Sequence, residues 1–347
     1  MKKTVFCLAA SMWFAAGAAL QPWGWEPSVH ARLDALIERN RGNPDAYAVF
    51  DFDYTIAMGD VSYACTWHLL ERFAFKTDDF RATMSKGVDE NRKGEFDSLC
   101  ALAERLWPFR GQDCRNRPEW REFVGRFWSL YRNMVADKGA YEAYLWRSRV
   151  FAGYTPDGLT ALANEAVPRA LAAGALRRDP NAPTEKRGLA IAPEMKDLFR
   201  QLRDAGIAAY VVSGSYKEIL LVAADPDFGL TIAPENIFGA ELAKDADGKF
   251  TGDFAEGCVK SGRKPDFIRA HIAPRHHGAE PVLAAGDSMG DYTMLTEFKG
   301  LQTALLFQRD WPNKEMWALS ASGDPVAVQG RDEIRGCFVP SHTSISP

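Results

Sequence analysis

Short, uninterrupted apolar runs recur along the chain, and helical patterns separate them over its second half. Such runs are typical of strands that are buried on both faces, as in a parallel sheet. They predict strands at residues 46–50, 207–212, 230–240, 281–285 and 303–307. Helical patterns fall between them at residues 193–206, 216–224, 264–272 and 291–298, and Asp247-Gly248 predicts a hairpin. Because strands and helices alternate, the pattern predicts an α/β fold with a doubly wound parallel sheet.

A long segment of helical patterns separates the first strand from the rest of this sheet. An amphipathic helix at residues 28–40 precedes that strand. The segment after it contains no convincing strand, and its helical patterns lie at residues 66–75, 119–135 and 159–173. The sequence therefore predicts an all-helical insert, residues 56–189, between two parts of a core domain, residues 20–55 and 190–347.

The first twenty residues have the pattern of a secretory signal peptide. Lys2 and Lys3 precede an apolar run that ends in the small residues Ala16-Gly17-Ala18. The alternative is an N-terminal membrane anchor, but the run is short for a spanning helix and its small residues favour cleavage. We expect residues 1–19 to be removed, which would leave a periplasmic or secreted protein with no stable membrane insertion.

The composition narrows the classes of function that need considering. The chain is 46% hydrophobic and 25% charged, which is ordinary for a globular protein and argues against disorder. Its formal net charge is −4, and lysine and arginine form no block. A nucleic-acid partner, which would be held through its phosphates, is therefore not expected.

Export would change what the cysteines can do, because an oxidising compartment permits disulfides. Without the leader and its Cys7, five cysteines remain: Cys65, Cys100, Cys114, Cys258 and Cys337. An odd number leaves at least one thiol unpaired or bonded to another chain. Cys100 and Cys114 are near enough to bridge over a short loop, but the sequence does not determine the pairing. No two cysteines have the CxxC spacing, so zinc and redox sites lack support.

Polar residues follow four elements of the predicted sheet domain. In doubly wound sheets, ligands bind outside the carboxyl ends of the strands. These positions hold Asp51-Phe52-Asp53-Tyr54-Thr55, Ser213-Gly214-Ser215, Lys260 or Lys264, and Asp287-Ser288-Met289-Gly290-Asp291. Asp51 and Asp53 lie two residues apart on an extended chain, so their side chains face the same way.

This set of residues predicts a site for a phosphoryl group. Asp51, Asp53 and Asp287 would repel one another without a cation, and an all-oxygen set suits Mg²⁺. Ser213 offers a hydroxyl donor, and the amides around Gly214 can approach an anion closely. A lysine would add a fixed positive charge. Taken separately, each motif is more often a turn, a cap or a loop, and it is their order along the chain that indicates a site.

The ordered motifs resemble those of the haloacid dehalogenase superfamily of phosphotransferases. AVFDFDYT (48–55) is similar to its first motif, VVSGS (211–215) to its second, Lys264 to its third and AAGDSMGD (284–291) to its fourth. PEMKDLFRQLRDAG, DGKFTG and GDSMGDYTML resemble the phosphoserine phosphatase branch in particular. That branch includes exported phosphorylcholine phosphatases, and the leader and QPWGWEP (21–27) are similar in style. The insert lies where the family has its C1-type cap domain.

The resemblance implies a role for each motif residue. Asp51 would be the nucleophile that forms an aspartyl-phosphate, and Asp53 the general acid and base. Mg²⁺ would be held by Asp51, Asp287 and the main-chain carbonyl of Asp53, with Thr55 and Asp291 in supporting positions. Ser213, Gly214 and Lys264 would bind the phosphate. Lys264 is preferred to Lys260 because it precedes Pro265, a good first helical residue, and because its distance from Asp287 matches the family's spacing.

The substrate expected is a small phosphomonoester that carries an amine, such as phosphocholine or phosphoethanolamine. The resemblance places Asp60 beside the leaving group, where it could attract an amine, although an exposed loop acid is an equal alternative. Aromatic faces bind quaternary ammonium groups, and the insert is rich in aromatic residues, which could equally form its own core: Tyr63, Trp67, Trp107, Trp120, Trp128, Tyr131, Tyr141, Tyr144 and Trp146.

Three other functions remain open at this point. The first is a phosphatase of broad specificity towards phosphoserine or nucleotides. The second is a phosphatase scaffold that binds a ligand without catalysis, although such a binder would not need both Asp51 and Asp53. A phosphomutase is a weaker option, because a periplasm offers few sugar bisphosphates.

Overall fold

The computed structural model describes residues 19–174, 176–259 and 263–347. All but the last residue of the predicted signal peptide, and the alternative lysine Lys260, therefore lie outside the described residues. The α-helices are α1 Pro27–Asn40, α2 Val61–Glu71, α3 Phe80–Ser85, α4 Lys93–Leu106, α5 Pro118–Lys138, α6 Ala140–Ser148, α7 Pro156–Ala173, α8 Pro193–Asp204, α9 Lys217–Ala223, α10 Lys264–His271, α11 Tyr292–Thr296 and α12 Lys314–Ser320. Among the described residues, no helix combines the length and the apolar character needed to cross a membrane.

The strands form one large sheet and three two-stranded pairs. They are β1 Tyr47–Phe50, β2 Ala57–Met58, β3 Arg177–Asp179, β4 Ala182–Arg187, β5 Ala190–Ile191, β6 Ala208–Tyr216, β7 Ile237–Ala240, β8 Leu242–Lys244, β9 Phe250–Phe254, β10 Leu283–Gly286, β11 Thr303–Phe307, β12 Val326–Asp332 and β13 Cys337–Val339. The order in the large sheet is β13-β12-β11-β10-β1-β6-β7, and all its pairs are parallel except β12 with β13. The predicted α/β fold with a parallel sheet is confirmed.

Helices cover both faces of this sheet, which is why its central strands are apolar at every position. In β1, Ala48 and Phe50 pack into the larger core, and Tyr47 and Val49 pack into the smaller one. The Phe50 ring lies 4.7 Å from the ring of Phe199 in α8. Helices α10, α11 and α12 provide buried residues to the smaller core. Full burial of a side chain such as Phe50 stabilises the fold by roughly 1.5–3 kcal/mol, so the sheet is a rigid base for residues at its edge.

The insert is mostly helical, but the prediction of an all-helical insert was wrong, because β2, β3 and β4 lie within residues 56–189. Strands β3 and β4 form a hairpin, and Pro180 and Asn181 form its turn. The hairpin contacts the C-terminal part of the chain, because the Leu176 amide donates to the Glu333 carbonyl at 2.9 Å and Lys186 Nζ pairs with Glu333 at 2.8 Å. This part of the insert is therefore bonded to the core domain.

The two ends of the insert meet in the short antiparallel pair of β2 and β5. Gly59 follows β2 with a φ of +110°, and a Cβ atom there would lie 2.5 Å from the Gly188 carbonyl oxygen. Only glycine fits this close approach without strain. The two segments that connect the core domain to the insert are thus closely packed against each other.

The C-terminal part of the chain completes the sheet. Strands β12 and β13 extend it beyond β11, and α12 packs its Met316 into the smaller core. The five cysteines expected to remain after export are free thiols in the structure, so the bridge between Cys100 and Cys114 considered from their spacing is absent.

Candidate active site

The carboxyl ends of three neighbouring strands bring the predicted motifs together. Strand β1 lies between β10 and β6, and Phe50 is paired with Ala285 on one side and with Val211 on the other. The Asp51 amide continues this ladder by donating to the Ala285 carbonyl at 3.0 Å. The residues that follow Ala285 and Val211 therefore reach the same edge of the sheet as Asp51.

Three buried carboxylates converge at this edge. Oxygen atoms of Asp51, Asp287 and Asp291 all lie within 4.8 Å of one another. Lys264, at the start of α10 and 2% exposed, donates to Asp51 Oδ1 at 2.6 Å and to Asp291 Oδ1 at 2.7 Å. The structure thus places Asp291 inside the cluster, whereas the family resemblance implied a supporting position for it.

Each of the two predicted ligand carboxylates has an altered pKa. Burial, together with the charges of Asp291 and Asp287, raises the pKa of Asp51 to about 7 against the opposing effect of Lys264. Burial also raises the pKa of Asp287 to about 6 against the effect of Arg309. Full ionisation of the cluster therefore calls for more positive charge than Lys264 and Arg309 provide.

Asp287 is held by groups from two other segments. Thr55 Oγ1 donates to its Oδ1 at 3.3 Å, and Arg309 Nη1 donates to its Oδ2 at 2.5 Å. The Trp311 indole donates to its main-chain carbonyl at 2.6 Å. Arg309 was not predicted from the sequence, but it lies at the carboxyl end of β11, the same kind of position that identified the other motifs.

The side chain of Asp53 points to a different set of partners. Ser215 Oγ donates to Asp53 Oδ2, and the Val61 amide, at the start of α2, donates to Oδ1 at 2.8 Å. Burial together with the charges of Asp60 and Asp51 raises the pKa of Asp53 well above its usual value, although the hydrogen bonds from Ser215 and Val61 lower it. Asp53 therefore holds a proton more readily than an ordinary aspartate, as a general acid requires.

Ser213 and Gly214 line the same cavity as these acids. Ser213 is 1% exposed, and its Oγ accepts from the Ser215 amide at 3.2 Å. The Gly214 carbonyl accepts from Tyr144 Oη of the insert at 2.7 Å. Ser215, which the sequence analysis quoted without a role, connects Ser213 to Asp53. The side-chain oxygen of Ser62 lies 2.7 Å from that of Ser215 and extends this connection to α2.

A cavity of about 490 Å³ lies between the core domain and the insert. Its floor contains all the predicted catalytic residues, Asp51, Asp53, Ser213 and Lys264. Its roof includes aromatic side chains from the insert and from β9, namely Tyr63, Tyr131, Tyr141, Tyr144 and Phe254. The other aromatic residues considered in the sequence analysis, Trp67, Trp107, Trp120, Trp128 and Trp146, do not line it, and all but Trp107 are fully buried in the hydrophobic core.

Asp60 and Arg147 lie under this roof. Asp60 caps α2, because its Oδ1 accepts from the Tyr63 amide at 2.7 Å. Arg147 of α6 is 2% exposed, and its guanidinium carbon lies 4.2 Å from the Tyr63 ring centre and 4.9 Å from that of Tyr144. Its Nε atom has no hydrogen-bond partner among the described residues. Burial raises the pKa of Asp60 and the charge of Arg147 lowers it.

The residues present fit a divalent cation. The donors that converge are carboxylate oxygens alone, which hard cations such as Mg²⁺ prefer to softer metals. They are buried, they are too close together to be ionised without compensation, and they face a cavity large enough for a small phosphate ester.

Comparisons with known proteins bear on the family of the chain. Residues 106–296, more than half of the chain, match the family model described as haloacid dehalogenase-like hydrolase. The chain is 27% identical over 236 residues to a phosphorylcholine phosphatase from Pseudomonas aeruginosa, which covers 67% of this chain and 58% of that protein. It is 31% identical over 99 residues to a phosphoserine phosphatase from Halobacterium salinarum, which covers 28% of this chain and 44% of that protein. The match therefore spans less than two thirds of either relative.

A solved structure with a similar fold comes from Anaerococcus prevotii. It is a conserved protein of unknown function, with a TM-score of 0.80 and 24% sequence identity. The similarity covers 94% of this chain and 98% of the other, so it includes the insert as well as the sheet. It bears on the fold and not on the activity.

Lys264→Met is expected to destabilise the protein. The change leaves Asp51 and Asp291 buried without their cation, and breaking such a buried pair costs about 3–5 kcal/mol. The free energy of unfolding, measured by urea titration, should fall by that amount in EDTA and recover in part in millimolar Mg²⁺. Lys299→Met, at an exposed position, removes the same charge and serves as the control. Equal stability of the two variants, or a loss that Mg²⁺ does not reduce, would contradict the expected role of Lys264.

Proposed function

The chain belongs to the haloacid dehalogenase-like hydrolase family, and from that premise we propose that it is an exported, Mg²⁺-dependent phosphomonoesterase that acts through an aspartyl-phosphate. The observation that carries the proposal is the convergence of Asp51, Asp287 and Asp291 at the floor of the cavity, where Lys264 bonds to Asp51 and Asp291. Export rests on the sequence of the leader, residues 1–19. The two relatives that are named as phosphatases support the reaction class.

Asp51 and Asp53 divide the chemistry between them. The Asp51 carboxylate, kept ionised by Lys264, attacks phosphorus, and a bond from phosphorus to Asp51 forms as the bond to the leaving oxygen breaks. Asp53 gives its proton to that oxygen. A water molecule then attacks phosphorus, Asp53 takes up a proton from it, and Asp51 and inorganic phosphate are released. The hydrogen bond from Ser215 orients Asp53 through both steps.

Charge on the phosphoryl oxygens is balanced by groups around the cavity floor. Lys264, the Ser213 hydroxyl and the amides near Gly214 provide positive charge and hydrogen-bond donors. Mg²⁺, held by Asp51, Asp287 and the main-chain carbonyl of Asp53 with Asp291 beside them, would supply further electrostatic stabilisation of these oxygens. Thr55 keeps the Asp287 carboxylate in place by donating to it.

The leaving group would lie under the roof of the insert. We propose that it is a small group that carries an amine, as in phosphocholine or phosphoethanolamine. Tyrosine faces attract cations, with a contribution of roughly 0.5–2 kcal/mol for each contact. Asp60 offers a carboxylate beside these rings. The phosphorylcholine phosphatase among the relatives is consistent with this class of substrate.

A second candidate is a leaving group with both an amine and a carboxylate, as in phosphoserine. The observation that favours it is Arg147, a buried cation that lines the cavity with an unpartnered Nε. Three of the tyrosines that could bind an ammonium group, Tyr63, Tyr131 and Tyr144, already face this guanidinium. The phosphoserine phosphatase among the relatives is consistent with this alternative.

Asp51→Asn is expected to lower kcat by at least about 10³-fold, because the amide is a poor nucleophile and forms no acyl-phosphate. EDTA should abolish the turnover of p-nitrophenyl phosphate by the unchanged protein, and Mg²⁺ should restore it. Asp247→Asn makes the same change at an exposed turn and should leave kcat unaltered. Turnover that survives EDTA or Asp51→Asn would reject the mechanism. Stabilisation by choline without any turnover would favour a binding scaffold.

Asp60→Asn is expected to lower kcat/KM for phosphocholine by about 10-fold or more, since the charge that attracts the amine is lost. Asparagine is as good a helix cap as aspartate, so α2 should remain intact. Turnover of p-nitrophenyl phosphate, which has no amine, serves as the control and should change by less than about threefold. A parallel loss for both substrates would assign Asp60 a structural role.

Arg147→Met distinguishes the two leaving groups. If the natural substrate carries a carboxylate, kcat/KM for phosphoserine should fall by about 10²-fold while that for phosphocholine holds or rises, because a buried cation has been removed. The methionine side chain can remain between the tyrosine rings. The same steady-state measurements on phosphocholine, phosphoserine and a nucleoside monophosphate separate these candidates from a phosphatase of broad specificity. Unchanged selectivity would reject the second candidate.

A further inference from the structure

Arg309 borders the carboxylate cluster from a segment outside the four motifs. It lies two residues beyond β11, and its Nη1 atom donates to Asp287 Oδ2 at 2.5 Å. Its guanidinium carbon lies 3.9 Å from the centre of the Tyr54 ring. The side chain is 33% exposed and lines the cavity. A second cation therefore lines the cavity where a phosphoryl group would bind, and it bonds to a carboxylate that Lys264 does not contact.

The guanidinium of Arg309 is only partly used by the protein. Within residues 19–174, 176–259 and 263–347, its one hydrogen bond goes to Asp287, so Nε and Nη2 have no partner there. Arginine presents several N–H donors in a planar fork, which suits two oxygens of a phosphate at once. The unpartnered donors border the cavity and remain free for such a ligand.

A fixed support holds Arg309 in this position. Tyr54, whose ring covers one face of the guanidinium, has a φ of +54°, which is unusual for a residue with a side chain. Arg331 Nη1 donates to the Tyr54 carbonyl, and Arg331 is 0% exposed and lies 3.7 Å from Glu333. The last strands of the sheet thus fix the turn that follows Asp53, and Arg309 with it.

The two cations at the carboxylate cluster, Lys264 and Arg309, form ion pairs with different carboxylates. Lys264 is shared by Asp51 and Asp291, whereas Arg309 pairs with Asp287 alone. A divalent cation bound at the cluster would share the Asp287 carboxylate with Arg309. Two positive charges beside one buried carboxylate repel each other, so the ion would weaken the pairing of Arg309 with Asp287. The positive charge of Arg309 would then be available to an anion in the cavity.

We propose that Arg309 competes with the divalent cation for Asp287 and binds the phosphoryl group together with Lys264. This inference rests on the proposed function, since it concerns the same cation and phosphate. It makes the binding of metal and of phosphate interdependent, with Asp287 as the shared partner. A structural role for Arg309 alone would not predict opposite effects on the two ligands.

The test is to measure both affinities in Arg309→Met by isothermal titration calorimetry. Mg²⁺ is titrated into metal-free protein, and inorganic phosphate is then titrated into protein saturated with Mg²⁺. Loss of the competing charge should tighten Mg²⁺ binding by about 5–10-fold, and loss of the donors should weaken phosphate binding by about 10-fold or more. Neither measurement requires turnover.

Two further variants serve as controls in this experiment. Arg309→Lys keeps the charge and loses the planar fork, so Mg²⁺ affinity should stay within about threefold of that of the unchanged protein, while phosphate binding should weaken by less than in Arg309→Met. Arg269→Met removes an arginine that lies over the Phe298 ring, 4.9 Å from its centre, and 3.5 Å from a carboxylate of Glu297, but that does not line the cavity. It should change neither affinity. Thermal unfolding of all three variants shows whether they are folded.

The outcomes separate the inference from the function on which it rests. If Arg309→Met weakens both ligands, or changes neither, the proposed competition is wrong while the phosphatase proposal stands. If the unchanged protein binds neither Mg²⁺ nor phosphate, the proposed function fails and this inference fails with it. Opposite shifts in the two affinities, absent in Arg269→Met, support the assignment of Arg309.

Discussion

Negative charge is concentrated at the ends of β1 and β10, and the rest of the site depends on how this charge is compensated. Asp51, Asp287 and Asp291 are buried within 4.8 Å of one another, where Asp287 and Asp291 oppose the ionisation of Asp51, and Asp291 opposes that of Asp287. The fold meets this cost with cations from separate segments, Lys264 from α10 and Arg309 from the end of β11. Three carboxylates face these two cations, so the fully ionised cluster keeps an excess negative charge that a divalent cation would balance.

The insert covers this charged edge, and a cavity lies between the two. Tyr144 of α6 bonds to the Gly214 carbonyl at the end of the apolar part of β6, and the β3–β4 hairpin bonds to the C-terminal segment, so the roof is attached to the core at both sides. Between these attachments the roof presents rings and one buried arginine to the acids below. Under the proposed function, the core domain supplies the catalytic residues, and the insert supplies the surroundings of the leaving group.

The sheet and most of the site could be predicted because both depend on local sequence patterns. Strand β11 has the predicted bounds, and the motifs at the ends of β1, β6 and β10 lie together, since parallel strands meet at one edge. The β3–β4 hairpin was missed because its strands are polar and depend on ion pairs, such as Arg187 with Asp179, rather than on an apolar alternation. Arg147 and Arg309 could not be assigned a role, because the residues that they contact lie on distant segments and the sequence around each arginine does not indicate them.

Arg147 also limits what the tyrosines can do. A guanidinium held over Tyr63 and Tyr144 occupies the ring faces that a quaternary ammonium group would use. The same guanidinium lies 5.9 Å from the centre of the Tyr131 ring, so an amine would have to approach Asp60 and the Tyr141 ring from the cavity side. Arg147 and Asp60 carry opposite charges but form no direct ion pair. A leaving group with both an ammonium group and a carboxylate would pair with both residues, whereas an amine alone would pair only with Asp60. The aromatic residues of the insert suggested a binding site for a cationic ligand. In this structure, some of them instead surround the side chain of Arg147.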